Sequence, residues 1–136
     1  MDQMVEVKVM GVYMHQESGM PPQHFVLFRD EQGRRIMIWM GQFEAWAISF
    51  ALDGETPQRP FSHDVTLAML DAAGASLEKV HITELRDETF YSVAYLRVGE
   101  ELKEIDIRPS DSVALALRAE VPIFISEAIM HDYCLK

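Results

Sequence analysis

Apolar residues along this chain follow two periods. Residues 4 to 14 place Val5, Val7 and Val9 on one side and Glu6, Lys8 and Met10 on the other, the alternation of a half-buried strand. The segment HQESGMPPQ breaks the pattern with Gly19, Pro21 and Pro22. HFVLFRD and RRIMIWM then flank EQG as the arms of a hairpin, with Gly33 supplying the permissive turn. After Gly41 the spacing becomes helical, with Phe43, Ala47, Ile48, Ala51 and Leu52 about a turn apart, and it stops near Gly54. A second helix is predicted from an N-cap at Ser62 through HDVTLAMLDAA to Gly74.

Strands then resume. LEKVHITEL, TFYSVAYLRV and ELKEIDI read as a meander with turns at RDE and GE, and a third helix begins at PSDSVALALRA. VPIFI is a short final strand and SEAIMHDYC a short terminal helix. This order predicts the α+β class: a mixed or antiparallel sheet with about four helices in one domain spanning residues 1–136. An offset of 67 positions, from residue 44 to residue 111, lays Glu44 on Asp111, Ala47 on Ala114 and Ile48 on Leu115, which suggests a pseudo-duplicated hairpin-helix unit. Trp39, Trp46, Phe43 and Phe50 fit the strand and helix periods and are expected in the core, not as base-stacking platforms.

Composition narrows the class. At 136 residues, 49% hydrophobic and 25% charged, the chain suits one globular core that buries roughly two thirds of its unfolded surface. Its single cysteine, Cys134, gains nothing from an oxidising compartment. The beginning MDQMVEVKVMGVYM has no basic leader, and no apolar run approaches the roughly 18 residues of a membrane span. A cytoplasmic, membrane-free setting is expected. Net charge is −10, from 22 acids against 12 Lys and Arg, the opposite of a nucleic-acid binder's usual footprint. An acidic chain can still present a local cationic groove, so any polyanion would have to be held by a local patch or a metal.

Two charged clusters stand at helix starts. In DIRPSD, Pro109 as the first helical residue makes Asp111 the third, where a carboxylate serves free first-turn amides and the helix dipole. Asp106 and Arg108 lie two apart and share the strand face opposite Ile105 and Ile107. A solvent-facing ion pair would account for them; so would chemistry, with Arg108 holding a phosphodiester oxygen and Asp106 and Asp111 coordinating a divalent cation. In RPFSHD, Asp64 can serve the dipole and Arg59 can pair with an acid, whereas His63 has a side chain suited to proton transfer or phosphate contact. His15, His24, His81 and His131 show no zinc-like spacing, and the chain has no glycine-rich phosphate loop and no G-x-S-x-G elbow. A covalent nucleophile is therefore disfavoured.

Two blocks carry a resemblance. GQFEAWAI followed by RPFSHDVTLAML, and TFYSVAYL through IDIRPSDSVALALRAEVPIFI, together cover about residues 36 to 125 and resemble the bifunctional nuclease domain, whose members are credited with cutting DNA and RNA. Ser62, Ile107 and Ser112 are mild departures from the family's commonest form and leave its charged groups intact. The resemblance implies an α+β domain, a Mg²⁺- or Mn²⁺-type nuclease and a self-associating subunit. The family's polar positions fall on Glu44, Arg59, His63, Asp64, Asp106, Arg108, Ser110 and Asp111. Joined to the chemistry above, this gives the expected site: His63, Asp64, Asp106 and Asp111 catalytic, Glu44 joining the three aspartates around metal, and Arg59, Arg108 and Ser110 on a nucleic-acid substrate. The rival expectation is a non-enzymatic oligomeric or anion-binding module whose Asp and Arg clusters only fix helix starts.

Overall fold

The alternation read from the sequence becomes one sheet with a single well-covered face. In the computed structural model, which describes residues 3–136, the strands are β1 (Met4–His15), β2 (Gln23–Asp30), β3 (Arg35–Met40), β4 (Ala75–Arg86), β5 (Thr89–Val98), β6 (Glu101–Ile107) and β7 (Ile123–Ser126). The helices are α1 (Gln42–Leu52), α2 (Ser62–Ala72), α3 (Pro109–Ala119) and α4 (Glu127–Tyr133). Strand order is β3-β2-β1-β7-β4-β5-β6. Every pair is antiparallel except β4 with β7, so the sheet is mixed and the class α+β. No helix among the described residues is long and apolar enough to cross a membrane.

Register decides which side chains meet the helices. Val7 pairs with Ile123, Ile123 with Val80, Val80 with Ala94, and Ala94 with Ile105, so these residues share one face. Val7, Ile123, Val80 and Ala94 are buried in the main core with Ile48 of α1 and Val113 and Ala114 of α3. In β1 the alternation is interrupted once. Val9 pairs with Phe28 and Gly11 with Leu27, leaving Met10 as the extra residue of a β-bulge, after which Val12 returns to the core side opposite Val26.

The four large aromatics expected in the core are not buried in it. Phe43 is 74% exposed, Trp46 57% and Trp39 46%, while Phe50 is half-buried. Helix α1 is apolar around much of its circumference, so its period alone does not choose an inner face. Its buried residues are Ala45, Ala47 and Ile48, because close packing beside α3, which offers Ala114 and Ala116, leaves room for small side chains. Trp39 lies on the other face of the sheet against Phe25, ring centroids 4.8 Å apart.

Away from the helix starts, one charged knot fastens the hairpin of β2 and β3 to α4. The Asp30 side chain is fully buried and accepts hydrogen bonds from the Arg34 backbone N–H (2.8 Å) and Nε (2.7 Å). The same guanidinium reaches Glu127 through both Nη atoms at 2.7 and 2.8 Å. Burial pushes the Asp30 carboxyl up, but hydrogen bonds and charge from Arg34 outweigh it and hold the group below the usual carboxylate range; Arg34 lowers Glu127 in the same sense. Stability from such depressed groups is present above their unfolded pKa near ~4 and is lost as pH falls through the folded values. Arg34→Ala is expected to cost on the order of 3 kcal/mol in urea unfolding at neutral pH, since it strands the buried Asp30 charge. The difference from wild type should shrink below pH ~4; a difference constant with pH would show that the carboxylates are not its source.

Candidate functional site

Helices α1, α2 and α3 each carry an acid at the third helical position, three residues after the cap: Glu44 after Gly41, Asp64 after Phe61, Asp111 after Arg108. None of the three caps has a side-chain acceptor in use, and each acid stands at the positive dipole end of its helix. Asp64 Oδ2 accepts the Phe61 backbone N–H at 2.8 Å. Ser62, expected as the N-cap, is instead the first helical residue, because Asp64 already occupies the capping role and Phe61 takes the extended cap conformation. Glu44 folds back over Gly41 so closely that a Cβ there would collide with Glu44 Oε1. Glycine at residue 41 is thus fixed by the carboxylate three residues later.

Three anions at neighbouring helix starts repel unless cations stand between them. Arg108 bridges two: Nε donates to Asp111 Oδ2 at 2.9 Å, Nη2 to Asp111 Oδ1 at 3.2 Å, and Nη1 to Glu44 Oε2 at 3.2 Å. The third acid, Asp64, receives Arg118 Nε at 2.9 Å from the far end of α3. His63 of α2 closes the set, its Nε2 lying 2.9 Å from Asp111 Oδ1. Burial raises the Asp111 carboxyl, yet hydrogen bonds from Arg108 and His63 prevail and leave it below its ordinary value. Because Asp111 is ionised, His63 Nε2 carries the proton and donates. The other ring nitrogen, Nδ1, is buried with no hydrogen-bond partner among the described residues. Arg108 is 63% exposed, so its donors remain open to a ligand.

Beneath this cluster the β6 to α3 junction is pinned by hydroxyls. Ser92 Oγ of β5 donates to the Ile107 carbonyl and lies 2.7 Å from Ser112 Oγ, both serines being buried. With the Ser92 proton already used, Ser112 donates to Ser92. Junction and cluster together wall an open cavity of about 360 Å³ lined by Phe43, Glu44, Trp46, Phe61, His63, Arg108 and Asp111, among others.

Of the residues proposed from sequence, Glu44, His63, Arg108 and Asp111 meet at this cavity. Asp64 is turned away toward Arg118. Asp106 pairs with Val93, one place from the Ala94 and Ile105 pair, so the pleat sends it to the sheet face opposite the helices. Arg108 leaves that shared face because it is the helix cap and no longer part of the strand. Arg59 is exposed in the loop before α2, and Ser110 is buried in the first turn of α3. Among the described residues no group of three or more His, Cys, Asp or Glu side chains is placed to hold a metal ion. Sequence reasoning missed the aromatic wall of Phe43, Trp46 and Phe61, and the Arg118 partner of Asp64.

Comparison with known proteins gives a consistent picture. A family model described as the bifunctional nuclease domain matches residues 26–136. An uncharacterized protein of Mycobacterium tuberculosis is 41% identical over 128 residues, covering 93% of this chain and 74% of that protein. Bifunctional nuclease 1 of Oryza sativa subsp. indica is 30% identical over 120 residues, 85% of this chain. The chain spans only about a third of that plant protein, 36% of its length.

Gly41→Ala tests the geometry of the cluster. Its backbone at φ −67° suits alanine, and the collision is with the far end of a flexible side chain. Global stability should therefore change by less than ~1 kcal/mol, while Glu44 is driven off Arg108. The Arg108 Nε–H and guanidinium resonances in NMR spectra should report the released bond; spectra matching wild type would refute the placement of Glu44.

Proposed function

The chain belongs to the bifunctional nuclease domain family, and on that premise we propose that it hydrolyses phosphodiester bonds of nucleic acid in the cavity where α1, α2 and α3 begin. The observation that supports this most is the hydrogen-bonded run Glu44, Arg108, Asp111, His63 along one open wall. It sets a cation for phosphate, an ionised carboxylate for water and an imidazole behind that carboxylate within reach of one another.

Arg108 is the phosphate ligand. Its fork suits two non-bridging oxygens, which would take over donors now given to Glu44 and Asp111. That exchange has a chemical consequence. Arg108 is the chief group holding Asp111 below its ordinary value, so engaging it with substrate raises the basicity of Asp111 as phosphate arrives. Asp111 then accepts the proton of the attacking water as its oxygen bonds to phosphorus and the P–O bond to the leaving nucleotide breaks, the departing alkoxide taking a proton from solvent at the open cavity. His63 keeps the carboxylate oriented through Nε2 and offsets its charge, and Glu44 positions Arg108 before substrate binds.

Mg²⁺ or Mn²⁺ was expected around Glu44, Asp64, Asp106 and Asp111. A hard cation needs several oxygen donors converging at one point. Asp64 is engaged by Arg118, Asp106 faces away, and Glu44 and Asp111 both sit on Arg108. The donors as placed do not fit a divalent ion, so the proposed hydrolysis uses the chain's own groups.

A second reading has its own support: the same charges stitch three helix starts together, as a purely structural network would. The two separate in a cleavage assay on labelled DNA and RNA. Asp111→Asn is expected to lower kcat about 100-fold or more, and His63→Ala comparably. Asp106→Asn should retain the wild-type rate. Equal rates in all variants, or activity that leaves on further purification, would favour the structural reading. A thermal melt tests the donor set: millimolar Mg²⁺ or Mn²⁺ should leave Tm unchanged, whereas a site filled at a hundred times its Kd would add about 2.7 kcal/mol.

A further inference from the structure

The wall of the cavity opposite the charges is aromatic. Phe43 and Trp46 project from α1 on the side away from its buried residues Ala45 and Ile48. The core does not use them, and two large exposed aromatics at one cleft are an expense in water that calls for a partner. Trp46 is also held in place. Trp46 meets Phe50 edge to face at 5.8 Å, Phe50 meets Phe61 at 5.1 Å, and Phe61 caps the helix that carries His63. The row ends at Phe61, which lines the same cavity as His63 and Asp111.

Charge says what such a row is for. Proteins that hold nucleic acid by phosphate contacts spread many Lys and Arg over the bound face, and this chain carries a net −10 with one arginine, Arg108, on the cavity wall. One or two phosphate contacts give little affinity, so most of it must come from another source. Stacking on aromatic rings supplies it without regard to base identity. A duplex keeps its base faces inside the stack, where no wall can reach them; an unpaired nucleotide offers its face freely. The volume, about 360 Å³, is at the small end of ligand pockets and suits a nucleotide rather than a helix.

We infer that Phe43 and Trp46 are the base-binding wall of this cavity and that its ligand is the unpaired stretch of a single-stranded nucleic acid. The inference rests on the nuclease reading of the same site. It names the substrate class and assigns two residues that touch bases, not phosphate.

The test is binding, so it does not depend on turnover. Fluorescence anisotropy would compare a labelled oligo-dT strand, an oligo-U strand and a DNA duplex against the intact chain. Single strands should bind more tightly than duplex, with a shallow salt dependence worth only one or two phosphate contacts. Phe43→Ala and Trp46→Ala should each weaken single-strand binding roughly 5- to 150-fold, and Trp46→Phe should restore most of it. With Trp39, on the other sheet face, replaced by Phe, oligonucleotide should quench the remaining Trp46 emission. Equal affinity for duplex and single strand, or alanine variants that bind like wild type, would overturn the inference. So would sedimentation showing that the alanine changes dissociate an oligomer, since the wall would then be a subunit interface. If binding ignores the aromatics while cleavage still requires Asp111, this inference alone falls. If binding requires them and no cleavage occurs, it is the nuclease reading that fails.

Discussion

Three helices begin side by side over one face of the sheet, and each leaves backbone amides that need an acceptor. That requirement organises the charged part of the molecule. The caps Gly41, Phe61 and Arg108 offer no side-chain acceptor; Asp64 takes the Phe61 N–H, and Glu44, Asp64 and Asp111 all stand at the third helical position against a positive dipole end. Three carboxylates brought together then require partners: Arg108 and Arg118 supply positive charge, and His63 supplies an N–H to Asp111. The ion pairs at the exposed Arg108 contribute little stability, under ~1 kcal/mol each. Their larger effect is positional: they hold one arginine, two acids and one imidazole at the mouth of a cavity.

Much of this was legible in the chain itself. Strand alternation, the Pro109 helix start, the glycine after α2 and the meander of β4 to β6 all follow from local rules, and the structure places these elements within a few residues of the expected bounds. The pairing of Glu44 with Arg108 was not legible, since 64 residues separate them and only the packing of α1 against α3 joins them. Asp106 shows the reverse difficulty. Its spacing from Arg108 implied a shared face, but the strand ends between them and the cap conformation redirects Arg108. The aromatics of α1 were assigned to the core because bulk and hydrophobicity argue for burial; the tight approach to α3 selects alanine there and leaves Phe43 and Trp46 outside.

Acidity and nucleic-acid chemistry are reconciled by scale. A net charge of −10 opposes long-range attraction of a polyanion, yet over a few ångströms the exposed guanidinium of Arg108 is the group that the proposed function would set against phosphate. The arrangement also resets itself. Arg108 is held by Glu44 and Asp111; in the proposed hydrolysis, drawing that arginine onto a phosphodiester would let Asp111 act as a base. Structural cohesion and proton transfer thus draw on one set of hydrogen bonds.

The central claim is that His63 and Asp111 act as a unit on the reacting water and do more than brace the helices. A double-mutant cycle read in kcat, with unfolding free energy measured on the same samples, tests it most directly. The account predicts that His63→Ala adds almost nothing to the loss of kcat already caused by Asp111→Asn, although each alone is severe. Losses in kcat that multiply independently, or that track only the loss of folded protein, would contradict it.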